Sequence, residues 1–180
     1  MYMSRVAKFE KVSYEQFKKD WLDTFAQKYN DWDEDMIDMA VRQVYDSIKL
    51  PKRATSGSAG YDFFCPTKLT ISLNEAIKIP TGIRCKMATG CVLQCYPRSG
   101  QGFKYGVHLA NTVGIIDEDY YGSNNEGHIF IKLVNDSVLT RMIELKAGDA
   151  FCQGILIPYG ITVDDDVEEV RNGGFGSTDK

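Results

Sequence analysis

The sequence predicts a mainly β protein, a barrel or double-sheet roll, that begins with a helical hairpin. After Pro51 the chain consists of short apolar runs separated by glycine, proline and polar turns, a pattern typical of all-β folds. Before Pro51 apolar residues recur every three or four positions, which indicates helices. The length of 180 residues, with 43% hydrophobic and 12% aromatic residues, suits one domain, residues 1–180, with a packed core.

The N-terminal segment is predicted to contain one strand and the first helix. Residues 5–12 alternate weakly between polar and apolar, as a strand would. Ser13 followed by Gln16 matches the capping box of a helix N-terminus. The aromatic residues of this helix recur at spacings of three or four and form one stripe: Tyr14, Phe17, Trp21 and Phe25.

A second helix and a series of strands complete the prediction. Asp31 followed by Glu34 offers the second N-cap, and Pro51 forbids any continuation of the helix. The helical period between them is carried by Met36, Met39, Ala40, Tyr45 and Ile48. The candidate strands are 61–65, 69–72, 76–79, 83–87, 91–96, 128–134, 141–145 and 151–157.

Charge and apolar patterning limit the kind of partner. A formal net charge of −4 argues against general nucleic-acid binding, which needs a basic face to neutralise phosphates. A small anionic substrate stays compatible with this charge, because a few placed cations can dominate one site. No segment approaches the roughly 20 apolar residues that span a bilayer. We therefore expect a soluble, cytoplasmic protein.

The cysteines and histidines predict neither disulfides nor a zinc site. The cysteine count is five, an odd number without a CxxC pair, and each lies in or beside an apolar stretch. Buried free thiols are the expected state. The two histidines, His108 and His128, are not near a cysteine at metal-ligand spacing.

Five motifs carry the functional signal. Residues 173–178 read Gly-Gly-Phe-Gly-Ser-Thr, which can be a nucleotide clamp or a flexible tail, since glycines expose N–H groups to an anion and a ring can stack on a base. Four other segments precede it: Ala-Gly-Tyr-Asp at 59–62, Pro-Arg-Ser-Gly at 97–100, Gly-Ile-Ile-Asp-Glu-Asp-Tyr-Tyr-Gly at 114–122 and Gly-Asp-Ala-Phe-Cys-Gln at 148–153. In this order the five resemble the motifs of the trimeric dUTPase family, from Leu50 to Thr178.

The resemblance implies a jelly-roll domain that works as a homotrimer, with each active site built from three chains. It also implies Mg²⁺-assisted hydrolysis of dUTP to dUMP and pyrophosphate. The aspartate at Asp117 would hold and activate the attacking water. Tyr120 would lie against the deoxyribose and exclude a 2′-hydroxyl, whereas Glu118 and Asp119 are expected to face solvent. Asn111 would bind uracil together with the hairpin that carries Gly114 and Ile116.

The remaining motifs imply phosphate and metal contacts. Arg98 and Ser99 would bind phosphate oxygens, and Gly100 would permit their close approach. Asp62 would reach Mg²⁺ through water, and Gln153 would contact phosphate or metal-bound water. The tail, residues 171–180, would close over the substrate. Its implied substrate contacts come from Arg171, Phe175, Gly176, Ser177 and Thr178.

The chain departs from the family pattern in several places, among them residues 101–102, which read Gln-Gly instead of the usual Leu-Ala, and residues 179–180, which follow Thr178 where glycine is common. Residues 13–49 form a helical insertion, and residues 123–127 add a polar turn that we expect to protrude and to touch the insertion helices. Arg171 precedes Phe175 by four residues where the family usually has five, which leaves its phosphate contacts open.

Two alternatives to dUTP hydrolysis stay open. The first is a related dCTP deaminase, for which Glu126 is the candidate general acid and base. The second is a nucleotide-responsive protein whose helical insertion binds a protein partner. Exposure of Trp21 and Trp32 would favour that second alternative.

Overall fold

The computed structural model describes residues 4–136, 138, 142–169, 171 and 173. Strand β1 (Ala7–Lys11) leads into helix α1 (Tyr14–Phe25), a short 3₁₀ helix (Ala26–Tyr29) and helix α2 (Glu34–Ser47). The predicted first strand and helical hairpin are therefore confirmed.

Both helices begin at a polar cap, but the second cap lies two residues later than the sequence predicted. The Ser13 hydroxyl accepts from the Gln16 N–H at 3.1 Å, as the capping box requires. In α2 the Asp33 carboxylate accepts from the Met36 N–H at 2.8 Å, so the assignment to Asp31 was wrong. The 3₁₀ helix causes the shift, because the N–H of Trp32 bonds back to Tyr29 O at 3.0 Å and keeps the chain in a turn.

All eight strands predicted after Pro51 are present, with ends that differ by two residues at most. The strands after β1 are β2 (Lys52–Arg53), β3 (Tyr61–Phe64), β4 (Leu69–Ser72), β5 (Glu75–Pro80), β6 (Ile83–Met87), β7 (Cys91–Pro97), β8 (His108–Leu109), β9 (Gly114–Ile116), β10 (Phe130–Asn135), β11 (Met142–Leu145) and β12 (Ala150–Pro158). Helix α3 (Ser99–Tyr105) follows β7 and was not predicted.

In the described parts of the chain the strands pair antiparallel in four sheets, which confirms the mainly β class. The largest has the order β2-β3-β12-β7-β9, so β7 lies between β12 and β9. The smaller sheets pair β1 with β6, β4 with β11, and β10 with both β5 and β8. Most motif residues lie on β7 and its neighbours, or directly beyond their ends.

The aromatic stripe of α1 packs inward and joins the core of the sheets. Its four members are buried, and the Trp21 ring lies 5.3 Å from the Phe17 ring and 4.5 Å from the Phe25 ring. Trp21 Nε1 donates to Tyr29 Oη at 2.8 Å, so its one polar atom is satisfied. Burying rings of this size makes the hairpin part of the folded domain rather than an appendage.

The cysteines and the hydropathy of the helices agree with the expectations where they can be tested. All five cysteines are buried and free. In the part of the chain that the structure describes, every helix is too short or too polar to cross a bilayer. The cytoplasmic location stays a prediction.

Candidate active site

A polar cleft lies where β7, β12 and β3 run side by side. Arg98 follows the end of β7, Gln153 of β12 pairs with Tyr96, and Asp62 of β3 pairs with Gln153. The Arg98 guanidinium meets the Asp62 carboxylate, with Nε 3.1 Å from Oδ1. Together with Ser99 these side chains line a cleft of about 370 Å³. The structure thus brings together four of the predicted site residues.

The backbone around the polar cleft explains two of the motif residues. A Cβ at Gly60 would lie 2.6 Å from Gln153 Oε1, so only glycine lets this amide take its position. Gln153 Nε2 donates to Pro97 O at 3.3 Å, which ties β12 to the end of β7. Gly100, by contrast, has open space where a Cβ would lie, and it belongs to the first turn of α3.

An apolar cleft lies on the other side of β7. It has a volume of about 420 Å³, and its lining includes Asn111, Gly114, Ile116 and Phe130. Gly114 pairs with Cys95 of β7, and a Cβ at Gly114 would lie 3.2 Å from the Cys95 Cβ. A side chain at this position would crowd the floor of the cleft, which explains the glycine.

The predicted catalytic loop follows β9. Asp117 follows the last residue of the strand and is the N-cap position of a short 3₁₀ helix (Glu118–Gly122). The Tyr120 side chain is buried, its hydroxyl donates to His128 O at 2.8 Å, and it accepts from Asn125 Nδ2 at 2.8 Å. The tyrosine is therefore held by hydrogen bonds at its hydroxyl end as well as by packing.

Arg171 joins this loop from the C-terminal segment. Its guanidinium hydrogen-bonds the Asp117 carboxylate through Nη2, and its Nε lies 3.1 Å from Asp119 Oδ1. The same guanidinium lies 5.8 Å from the centre of the Tyr120 ring. The tail residues Phe175, Gly176, Ser177 and Thr178 lie outside the described residues.

The two acidic residues after Asp117 differ in their surroundings. Asp119 is exposed, as expected, although it also pairs with Arg171. Glu118 is half-buried, and its Oε2 accepts from the Gly90 N–H at 2.6 Å. The expectation that Glu118 faces solvent was therefore wrong, because this carboxylate anchors the loop to the turn before β7.

The polar cleft and the catalytic loop are at different ends of β7 within one chain. Ile116 pairs with Leu93, and Asp117 lies one residue farther from the polar cleft. Arg98 is five residues along from Leu93, which corresponds to about 17 Å of extended strand. A single chain therefore does not bring Asp117 to Arg98.

Residues 123–127 form a packed turn, not the protruding one that the sequence predicted. Ser123 and Gly127 are buried, while Glu126 accepts from the Ser13 N–H at 2.7 Å and from its hydroxyl at 2.6 Å. The expected contact with the insertion helices is confirmed. Burial alone would raise the pKa of Glu126, but the bonds from Ser13 and the Arg84 charge together outweigh it, and the pKa lies below its ordinary value. Glu126 thus binds Ser13, the N-cap residue of α1. This structural role counts against Glu126 as the general acid and base of a deaminase.

Comparison with known proteins identifies the family. A sequence model described as dUTPase matches residues 46–179. The chain belongs to the dUTPase family. The deoxyuridine 5′-triphosphate nucleotidohydrolase of Lactococcus lactis subsp. lactis is 39% identical over 134 residues, which cover 73% of this chain and 88% of that protein. Its counterpart in Chromobacterium violaceum is 33% identical over 151 residues, covering 79% and 96%.

Solved dUTPase structures agree with this assignment. The dUTPase from Streptococcus mutans superposes with a TM-score of 0.61 at 32% identity, covering 86% of this chain and 97% of that one. The dUTPase from phage phi11 of S. aureus gives a TM-score of 0.58 at 22% identity, and the match covers 76% of this chain and 96% of that one. At this identity the likeness is evidence for the fold alone. Since the dUTPase match begins at residue 46, α1 and most of α2 lie outside it.

Proposed function

We propose that this member of the dUTPase family, a dUTP diphosphatase, hydrolyses dUTP to dUMP and pyrophosphate at sites completed by neighbouring chains of a homotrimer. The observation that carries the proposal is the division of the motif residues between two clefts on either side of β7. One cleft is lined by Arg98, Asp62 and Gln153, and suits a triphosphate. The other is mainly apolar, carries Asn111 and Gly114, and suits a nucleoside.

Asp117 is the proposed base for the attacking water. Among the described residues, Arg171 contacts Asp117 Oδ2, which leaves Oδ1 to accept a proton from water. Positioning of this water against the α-phosphorus supplies most of the acceleration in such reactions.

The polar cleft supplies charge to the phosphates. Arg98 presents a guanidinium that matches phosphate oxygens, and Ser99 adds a hydroxyl at the start of α3. Asp62 balances the Arg98 charge in the free chain through the 3.1 Å contact. When a triphosphate binds, Arg98 can turn toward it and release Asp62.

The residues present fit Mg²⁺ only if the substrate shares in binding it. Asp62 and Gln153 offer hard oxygen ligands beside the proposed phosphate site. The described residues include no group of three acidic, histidine or cysteine side chains that could hold a metal alone. Asp62 would therefore reach the ion through water, with phosphate oxygens as further ligands. The ion, when bound, would neutralise phosphate charge.

The separation of the two ends of β7 supports the proposed homotrimer. If Asp117 of one chain acts beside Arg98 of another, the roughly 20 Å of strand between them within a chain is no obstacle. Residues 171–180 of a chain would close over the site, with Phe175 on the base and Gly176, Ser177 and Thr178 beside the phosphates. Truncation before Gly173 should therefore abolish turnover and leave the β fold intact by circular dichroism.

Mixing two inactive variants tests the shared site. Asp117→Asn should lower turnover by orders of magnitude while dUTP binding is largely kept, and Arg98→Ala should weaken binding. Trimers reassembled from equal amounts of both should recover about one quarter of wild-type activity. Each site takes Asp117 from one chain and Arg98 from another, and each of these residues is intact in about half of the cases. No recovery would contradict the shared site. Unchanged turnover of Asp117→Asn would remove Asp117 from the mechanism.

The alternatives are separated by a panel of nucleotides. Incubation with dUTP and dCTP, followed by assays for pyrophosphate and ammonia, should give pyrophosphate from dUTP and no ammonia from dCTP. A partner-binding role has less support than the sequence allowed, because Trp21 and its stripe are buried. The apolar residues that stay exposed on the hairpin are Trp32, Met36 and Met39. A protein partner at the hairpin stays a prediction.

A further inference from the structure

His128 is a buried histidine whose hydrogen bonds assign its protonation state. Its side chain is fully buried, and Nε2 accepts from the Gly82 N–H at 2.8 Å. An accepting nitrogen carries no proton, so the ring is neutral and its proton is on Nδ1. That proton is donated to Asp20 Oδ2 of α1, 2.6 Å away.

Asp20 is the ionised partner of this neutral ring. Burial would raise the pKa of Asp20, but hydrogen bonds from His128 and from Gln16, at 2.8 Å, outweigh it and hold the pKa below its ordinary value. A carboxylate that is 14% exposed and accepts two hydrogen bonds fixes the position of its donors. This hydrogen bond therefore fixes the hairpin to the β fold at His128.

The same histidine holds the catalytic loop through its backbone. His128 O accepts the Tyr120 hydroxyl at 2.8 Å, and its N–H donates to Asn125 O at 3.1 Å. Asn125 Nδ2 in turn donates to the Tyr120 hydroxyl at 2.8 Å. A displacement of His128 would therefore displace the Tyr120 ring, because both hydrogen bonds at its hydroxyl end depend on this turn.

A second connection joins the start of α1 to the next residue of the loop. Glu126, which caps Ser13, lies 3.7 Å from the Arg84 guanidinium. Arg84 covers the Tyr121 ring at 3.6 Å and donates to Tyr121 O at 3.2 Å. The turn at 123–127 also rests on the loop itself, since a Cβ at Gly127 would lie 2.7 Å from Tyr121 Cα.

We infer that Asp20 and His128 are positioning residues. They fix the position of the Tyr120 ring relative to the bound sugar and thereby set the selectivity of the enzyme for deoxyribose over ribose. The inference rests on the proposed function and on the role that the dUTPase resemblance implies for Tyr120, which is to lie against the deoxyribose. A steric test of a single hydroxyl depends on a rigid ring, because a ring free to shift by about an ångström makes room for the extra oxygen. Asp20 lies in the segment that the dUTPase match does not include, so the hairpin would serve the active site at a distance.

The test compares hydrolysis of dUTP and UTP by hairpin variants. Asp20→Ala removes the acceptor of the His128 proton and should lower the ratio of kcat/KM for dUTP over UTP by about tenfold, mainly through faster UTP hydrolysis. Asp20→Asn keeps an oxygen that can accept from a neutral His128 and should keep the ratio within about twofold. A merely structural role would not distinguish the two sugars in this way.

Asp38→Ala is the matched control for a loosened hairpin. Asp38 of α2 accepts from Tyr14 Oη at 2.6 Å and from Lys18 Nζ at 2.7 Å, and both partners belong to α1. Its loss weakens the packing of the hairpin without touching His128. The selectivity ratio of this variant should equal that of the wild type, and an equal fall in both alanine variants would overturn the inference.

Tyr120→Phe decides the question if Asp20→Ala does not fold. The substitution keeps the ring and removes the hydroxyl that His128 holds, so the ratio should fall by about tenfold. Where Asp20→Ala does fold, the double variant should fall no further than either single variant. A wild-type ratio in Tyr120→Phe would refute the inference. A wild-type enzyme that hydrolyses dUTP and UTP equally would instead refute the proposed role of Tyr120, so the two failures are distinguishable.

Discussion

The fit between the hairpin and the β5–β6 turn can be measured by adding one methyl group at Gly82. Gly82 has a φ of +71°, and a Cβ there would lie 2.3 Å from Ile48 Cδ1 and 3.3 Å from the Phe17 ring. The left-handed backbone costs an L-residue about 1–2 kcal/mol. Overpacking against the buried Phe17 adds about 1–3 kcal/mol, since the Ile48 methyl can rotate away but the ring cannot. We expect Gly82→Ala to destabilise the protein by about 2–5 kcal/mol.

Gly90→Ala is the matched control. Gly90 has a φ of +80°, and nothing lies within 4 Å of its Cβ position, so only the backbone cost of about 1–2 kcal/mol applies. Urea unfolding at one protein concentration, followed by tryptophan fluorescence and circular dichroism, gives both losses. Equal losses for Gly82→Ala and Gly90→Ala would refute the packing of the hairpin on this turn. Ile48→Ala should partly relieve Gly82→Ala, as residues in contact are not additive.

Three further predictions concern the second helix cap, the thiols and the apolar cleft. Asp33→Ala should lower the free energy of unfolding by about 1 kcal/mol, whereas Asp31→Ala should lower it by less than about 0.5 kcal/mol. A larger loss for Asp31→Ala would show that Asp31 is the cap after all. Burial raises the pKa of the Cys65 and Cys85 thiols to about 12. A disulfide reagent at about pH 8 should therefore modify these thiols only after the protein unfolds. Rapid modification of the folded protein would contradict this prediction. Gly114→Ala should raise KM for dUTP more than it lowers kcat, and steady-state kinetics with an unchanged KM would exclude crowding of the cleft.

The strands could be predicted because their signal is local. Alternation in β4, for instance, buries Leu69 and Ile71 and exposes Thr70 and Ser72. Strands β2, β8 and β9 have only two or three residues, too few for a period, and exist because neighbouring strands pair with them. Helix α3 was missed because Ser-Gly-Gln-Gly is typical of a turn. Gly106, at φ +67°, closes this helix with bonds to the Gln101 and Gly102 carbonyls.

The candidate site was predictable in its residues but not in its arrangement. Asp62, Arg98 and Gln153 lie together as expected of motif residues, since β3, β12 and β7 are neighbours. The distance between Arg98 and Asp117 depends on strand register, which motif order does not encode. Asp20 and His128 escaped detection, because they are 108 residues apart and a lone aspartate on a helix resembles any solvated charge.

The buried contacts between the hairpin and the turn at 123–128 have an evolutionary consequence. A descendant that lost α1 would retain a Glu126 carboxylate without its Ser13 donors and a His128 ring without its Asp20 acceptor. An unpaired buried group such as this ring costs about 1–3 kcal/mol. A lineage that gained the helices before the turn would instead have Ser13 and Asp20 without their hydrogen-bond partners. Hairpin and turn should accordingly be inherited or deleted jointly, and homologues without the one should show a shortened or apolar version of the other.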